Sequence, residues 1–245
     1  MNKNVEFIGL QVLTESAEQI TRQLLDKNPK FGTAYHLVNA YTVVLADESP
    51  LLYSILKEDS LICDGKPLAR ILKLRDSSVT QIRGADFMRR VFSELDSDAR
   101  HFFLGSTDEV LQQLVFFAKG CNPDIEIVGT FAPDYSNDFS SALPLWVKII
   151  SEANPTIVWV GLGTPKQDFV SHEIAKSLPV NAVAVGAAFD YLSGNISEAP
   201  KILQSLGVEW LYRLLREPKR LAGRYLVGNL KFIRLAVREL HKQKA

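Results

Sequence analysis

Two stretches of this sequence combine residue types that do chemistry. Residues 60 to 64 read Ser-Leu-Ile-Cys-Asp and are followed by Gly65. Three apolar residues and then a carboxylate put Asp64 where a short buried strand reaches the surface, partly desolvated, so that its affinity for a proton rises. Such a group is a candidate general base, and the competing reading is a cap for the helix beyond Gly65. Residues 156 to 168 read Thr-Ile-Val-Trp-Val-Gly-Leu-Gly-Thr-Pro-Lys-Gln-Asp. The apolar run is too short for a helix and too apolar to face water, the pattern of a strand buried on both faces of a parallel sheet. Gly161 and Gly163 free the backbone for a sharp turn, and Pro165 stands where a helix begins. A strand that passes through Gly-x-Gly into a helix points bare N–H groups at its ligand, which suits a phosphate. Lys166 and Gln167 add a cation and an amide at the same edge. This stretch reads as the floor of a nucleotide site, with a ligand-free turn as the alternative for a lone Gly-x-Gly.

The elements that must position these groups alternate along the chain. Strands are expected at 5 to 12, 35 to 39, 60 to 64, 101 to 105, 125 to 130, 156 to 160 and 182 to 188. Helices are expected at 15 to 25, 40 to 46, after Pro50, and at 66 to 74, 85 to 95, 107 to 119, 139 to 153 and 165 to 177. The alternation predicts an α/β class, a Rossmann-like and mostly parallel sheet with helices on both faces. Ligands of such sheets collect at the carboxyl ends of strands. Asn39, Asp64, Gly105 with Ser106, the Gly161 loop and Asp190 are all expected at such ends, although each alone also reads as a cap or turn residue. Arg83, before Gly84, is placed to balance a diphosphate or to stand as a solvated charge. Asp96-Ser97-Asp98 has the look of a metal-binding pair but precedes a strand and so falls at the wrong edge, and no metal is expected there. The four histidines show no ligand spacing.

The 245 residues suffice for one α/β domain with a small appendage. Cys63 and Cys121 fit no zinc or redox spacing and read as reduced thiols of a cytosolic protein. No signal or membrane-spanning segment is recognised. A formal net charge of zero conceals an asymmetry. Of the 28 Lys/Arg, 11 follow residue 200, against 3 of the 28 Asp/Glu, so the last segment carries +8 and the rest −8. The expected division is therefore 1–200 for the core and 201–245 for a basic helical appendage. A helix from Pro218 to about residue 241 gathers Arg220, Arg224, Lys231, Arg234, Arg238 and Lys242 in an arc of roughly 80°. Tyr225, Phe232, Ile233, Ala236 and Leu240 form an apolar face at roughly 20° to 120° from Leu221. That helix suits an anionic membrane surface, or else docks on its own domain with a solvated basic face. No aromatic platform or basic fold motif supports nucleic acid as a partner.

Several segments then converge on one family. Residues 161 to 168 (Gly-Leu-Gly-Thr-Pro-Lys-Gln-Asp), 185 to 194 (Val-Gly-Ala-Ala-Phe-Asp-Tyr-Leu-Ser-Gly), 199 to 200 (Ala-Pro) and 206 to 221 (Leu-Gly-Val-Glu-Trp-Leu-Tyr-Arg-Leu-Leu-Arg-Glu-Pro-Lys-Arg-Leu) closely resemble the WecG/TagA/CpsF glycosyltransferase family. Cys-Asp-Gly at 63 to 65, Gly-Ala-Asp-Phe-Met at 84 to 88 and Phe-Leu-Gly at 103 to 105 fall in the family's order. The resemblance implies a bacterial, metal-independent, inverting enzyme without cofactor. It implies transfer of a sugar from a UDP-sugar to a polyprenyl-diphosphate-linked saccharide, at the inner face of the cell membrane and peripheral to it, and it leaves room for a homo-oligomer. It further implies that Asp64 is the base, that Asn39 and Gln167 line the sugar site, and that Arg213, Arg220 and Arg224 belong to an appendage that contacts membrane and closes over the donor. The family's Thr two residues before Asn39 and Glu two after it are Leu37 and Tyr41 here, which leaves the donor sugar open. The usual arginine three residues before Gly84 is Gln81, with Arg83 sharing its face in an extended chain. Two other classes use part of the same features. A nicotinamide-dependent oxidoreductase would need the third glycine that Gly161-Leu162-Gly163 lacks, and a non-catalytic membrane-bound scaffold would need only the tail.

Overall fold

The computed structural model describes residues 4–25, 32–95, 98–134 and 139–242, without the side chains of Arg220 and Arg224. The chain begins with β1 (Asn4–Phe7), β2 (Leu10–Leu13), α1 (Ala17–Leu24), β3 (Thr33–Val38), α2 (Ala40–Glu48), α3 (Pro50–Glu58), β4 (Ser60–Cys63) and α4 (Lys66–Lys73). There follow α5 (Gly84–Phe92), β5 (Arg100–Gly105), α6 (Asp108–Cys121), β6 (Glu126–Phe131), α7 (Leu143–Ala153), β7 (Ile157–Gly161), α8 (Lys166–Ser177) and β8 (Asn181–Ala184). It ends with α9 (Ala188–Leu192), α10 (Lys201–Leu206), α11 (Glu209–Arg216) and α12 (Pro218–Lys242). The fold is mixed α/β, as the alternation predicts. Two compact units are formed. One comprises Met1–Glu15, Val38–Ile82 and Ser197–Ala245, the other Ser16–Leu37 and Arg83–Ile196.

In the second unit the strands run β3-β8-β7-β5-β6, every pair parallel. Successive side chains of β7 point to opposite faces, and both faces are dry. Val158 and Val160 pack with Trp146 and Ile150 of α7 and Val170 and Ile174 of α8. Trp159 faces the other way, its ring 6.2 Å from Phe87 and 5.7 Å from Phe92 of α5. Phe103 of β5 meets Phe189 of α9 at 5.9 Å on an edge-to-face contact. The uninterrupted apolar run of β7 is thus the direct consequence of helices on both sides.

His101 is buried on the Trp159 side, where the indole N–H donates to its Nδ1 at 3.1 Å. Burial pushes its pKa down to about 4. The folded state therefore binds fewer protons than the unfolded chain, whose histidine titrates near 6.5. Stability is unaffected above that pH and falls as the pH drops from 6.5 towards 4, by an amount on the order of 3 kcal/mol. Denaturant titrations at stepped pH should show a shallower acid slope in His101→Gln than in the native protein, and equal slopes would remove His101 as the cause.

In the first unit β1 and β2 are antiparallel, and β2 pairs with β4 in parallel. The span expected as one strand at 5 to 12 is a hairpin. Ile8 (φ 52°) and Gly9 (φ 81°) both turn through the left-handed region. That is the two-residue turn that suits strand twist, but with isoleucine where asparagine or aspartate usually signals it. Tyr53 Oη holds the turn by donating to the Ile8 carbonyl at 3.1 Å, and the Ile8 N–H donates to Glu239 Oε2 at 3.4 Å.

Glu239 belongs to α12, which docks on this unit. Leu221, Tyr225, Phe232, Leu235 and Ala236 are buried, with Phe232 6.0 Å from Phe7 and Tyr225 5.8 Å from Trp210. Burial works against ionisation of Glu239, but bonds from Lys242 and Arg75 outweigh it and hold the carboxyl below its ordinary range. Lys231 and Arg238 pair with Glu48 and Asp47 of α2. Most of the apolar face expected to meet lipid, Tyr225, Phe232 and Ala236, is therefore the docking face. A second apolar stripe stands out instead, with Leu226, Leu230, Ile233 and Val237 between 50% and 62% exposed. It falls at roughly 120° to 180° on the same wheel, between the docked face and the basic arc. Among the described residues no helix is long and apolar enough to cross a membrane.

Candidate active site

Asp64 leaves the end of β4 with its N–H donating to the Val38 carbonyl at 2.8 Å, and Ile82 N–H closes on the Cys63 carbonyl at 2.8 Å. The residue at the N-cap of α4 is Gly65, not Asp64. The Cys63 thiol is pushed up to about 12, first by its own burial and then by the neighbouring Asp64 carboxylate. Gly65 takes φ 88°, and a Cβ there would stand 3.2 Å from the Cβ of Asn39, so Asn39 and the Asp64-Gly65 corner are neighbours in this unit. Asn39 is the N-cap of α2. Its Oδ1 accepts the N–H groups of Tyr41 at 2.9 Å and Thr42 at 3.3 Å, so these cap bonds use only the acceptor end of the amide. Arg213 lies in the last turn of α11 in the same unit, and Arg220 and Arg224 in α12, their side chains outside the described residues.

The second unit holds the glycine loop. Gly105 ends β5 in register with Gly161 at the end of β7. A Cβ on Gly105 would lie 2.5 Å from the Gly161 carbonyl oxygen, and one on Gly161 would lie 2.5 Å from the Phe189 ring, so close backbone approach accounts for both glycines. Gly163 takes φ 76°, with open space where a side chain would stand. Its N–H is not bare as expected. It donates to Gln167 Oε1 at 3.1 Å, while Gln167 Nε2 donates to Thr164 Oγ1 at 3.3 Å. Gln167 is buried and clasps the loop across the first turn of α8, whose N-cap is Pro165.

Lys166 carries its cation against two rings, 5.3 Å from the centroid of Trp146 and 5.7 Å from that of Phe139. Burial lowers its pKa. Arg83 sits at the N-cap of α5 and is held by Asp86 at 2.8 Å, with Arg89 on the other carboxylate oxygen at 2.9 Å. Asp190 does not end a strand. β8 stops at Ala184, and Asp190 lies within α9, where its carboxylate accepts Asn195 Nδ2 at 2.9 Å. Val-Gly-Ala-Ala is apolar enough to read as more strand, but Gly186 (φ 60°) turns the chain there. Asp96 and Ser97 lie outside the described residues.

Asn39 and Asp64 thus come together in one unit, and Gly105, Gly161, Gly163, Lys166 and Gln167 in the other. One pair escaped sequence reasoning. His36 of β3 and Asp168 of α8 are joined at 3.0 Å in the core of the second unit. The histidines show no ligand spacing, and no local pattern signals a contact across 132 residues.

A family model described as the glycosyl transferase WecG/TagA/CpsF family matches residues 5–245. An N-acetylglucosaminyldiphosphoundecaprenol N-acetyl-beta-D-mannosaminyltransferase of Bacillus subtilis strain 168 is 27% identical over 221 residues, 89% of this chain and 83% of its own length. The protein of the same name from Bacillus spizizenii strain W23 is 28% identical over 212 residues, 85% of this chain and 80% of its own.

Proposed function

This chain belongs to the WecG/TagA/CpsF family and is a glycosyltransferase, and from that premise we propose that it moves an N-acetylhexosamine from a UDP-sugar to a polyprenyl-diphosphate-linked saccharide. N-acetylmannosamine is the sugar named for both relatives and undecaprenyl-diphosphate-linked N-acetylglucosamine their acceptor, and the same pair is the reading for this chain. The reaction is a direct displacement. Asp64 takes the proton of the acceptor hydroxyl, the oxygen bonds to the anomeric carbon, and the bond to UDP breaks on the opposite side with inversion. The charge leaving with UDP is met without a metal by Lys166, Arg83, Arg213, Arg220, Arg224 and the Gly161–Gly163 loop beside Gly105. Asn39 and Gln167 bind the sugar, and Asp190 the uridine.

Residues 201–245 associate with the inner face of the cell membrane. The exposed Leu226, Leu230, Ile233 and Val237 beside the basic arc support this, since each Lys or Arg near anionic lipid contributes about 1 kcal/mol. The observation that carries the whole reading is the family match across residues 5–245, which takes in Asp64, the glycine loop and the arginines of the tail.

The test is a panel of UDP-sugars with a lipid-linked N-acetylglucosamine acceptor in anionic vesicles containing EDTA. Transfer from one UDP-N-acetylhexosamine, with inverted anomeric configuration, is expected. Transfer seen only when EDTA is left out would reject metal independence. Vesicle binding without transfer from any donor would favour a scaffold, and NAD binding without UDP binding an oxidoreductase.

A further inference from the structure

The proposed transfer makes no use of the pair His36 and Asp168, although both side chains are almost wholly buried, at 0% and 1% exposed. Desolvating two such groups costs more than their attraction reliably returns, so stability alone is a weak reason for them to be there. Their placement suggests another. Asp168 lies in the first turn of α8, directly after Gln167. Gln167 fills the space beside Gly186, where a Cβ would come within 3.7 Å of its amide, and it bonds both Gly163 and Thr164. His36 stands on β3, which is paired with β8, and so belongs to the rigid sheet.

The Asp168 carboxylate is anchored from one side only. Oδ1 takes the His36 ring at Nδ1, whereas Oδ2 and the neighbouring Ser171 Oγ are buried without a hydrogen-bond partner among the described residues. A carboxylate accepts but does not donate, so Nδ1 carries the proton of this bond. If His36 were removed, the carboxyl would be left buried and unsatisfied, and the turn would have to rearrange to rescue it.

The geometry points to His36 and Asp168 as a positioning pair. They tie the first turn of α8 to the sheet and, through Gln167, hold the Gly161–Gly163 loop in the conformation that receives an anionic ligand. Neither touches the substrate. The nature of that ligand, a nucleoside diphosphate sugar, rests on the function proposed above, whereas the holding of the loop does not.

Amide hydrogen exchange of Gly163, referenced to Val183 in β8, reads the loop directly and separates its loosening from a general loss of stability. Asp168→Ala is expected to speed Gly163 exchange about tenfold, the worth of one intramolecular hydrogen bond. His36→Gln should speed it less, and Asp168→Asn, which keeps an acceptor for His36, should recover most of the protection. Donor KM should rise in the same order, with kcat changed less. In a double-mutant cycle, Asp168→Ala should add little to Gln167→Ala, because one acts through the other. Should Asp168→Ala fail to fold, His36→Gln and Asp168→Asn carry the same comparison. Unchanged relative exchange at Gly163, or additive effects in the cycle, would overturn the positioning role. The expected exchange pattern in a protein that neither binds nor turns over any UDP-sugar would leave that role standing and sink the assignment of the ligand.

Discussion

Asp64→Asn is expected to lower kcat by about 10² to 10⁴, the usual worth of a positioned general base, while the affinity for UDP changes little. The substitution is chosen because it keeps nearly everything but the proton acceptor. The backbone bonds from residue 64 to Val38 and from Ile82 to Cys63 do not involve the carboxylate. Asparagine retains the volume and a polar end. A carboxylate that merely organised the corner between β4 and α4 would instead be missed in the melting temperature. The two roles therefore part cleanly in one pair of measurements, steady-state kinetics and a thermal melt. A variant with native kcat would remove Asp64 from the chemistry.

Gly105→Ala should lower the melting temperature by roughly 10 °C and disable donor binding at temperatures where the protein is still folded. Gly105 takes φ 125°, a conformation that costs a residue with a side chain about 1–3 kcal/mol. The added methyl would also lie 2.5 Å from the Gly161 carbonyl oxygen, a backbone atom that has no rotamer with which to escape. Overpacking of this kind costs about 1–3 kcal/mol more, and in a domain of this size each kcal/mol moves the midpoint by about 2–4 °C. Relief requires β5 and β7 to separate just where the glycine loop begins, which is why binding suffers along with stability. Gly120→Ala is the control. It lies in α6 with nothing within 4 Å of the new methyl, and there alanine should be neutral or stabilise by up to about 1 kcal/mol. Equal midpoints for the two variants, read by differential scanning fluorimetry, would dismiss the steric account.

How far the fold and the candidate site were legible depended on whether the signal was local. β7 could be read from four apolar residues, and the start of α8 from Pro165, because a buried strand and a helix entry each leave a mark within a few positions. The β1–β2 hairpin could not, since its turn places Ile8 where a β-branched residue is strained and the usual Asn-Gly or Asp-Gly mark is missing. Asp190 reads from sequence as a strand end because an apolar run extends from the buried β8 into the buried α9, and hydrophobicity does not change where the backbone does. The helical wheel found the basic arc of α12 but not which of two apolar edges docks, because both satisfy the same period.

By itself the amino-acid sequence determined the α/β class, the family, and the residues from which a base, an anion-binding loop and a basic helix could be built. Those properties follow from side-chain chemistry and from backbone preferences that act over one or two turns. Only the tertiary structure decided how the polar groups are spent. Asn39 Oδ1 goes to a helix cap, the Gly163 N–H to Gln167, Arg83 to Asp86, and Asp168 to a histidine 132 residues away. It also decided that Phe232 faces Phe7 while Leu230 faces solvent. A buried hydrogen-bonding group must find a partner or suffer its desolvation, and the partner within reach is set by how distant segments pack, which no window of neighbouring residues contains.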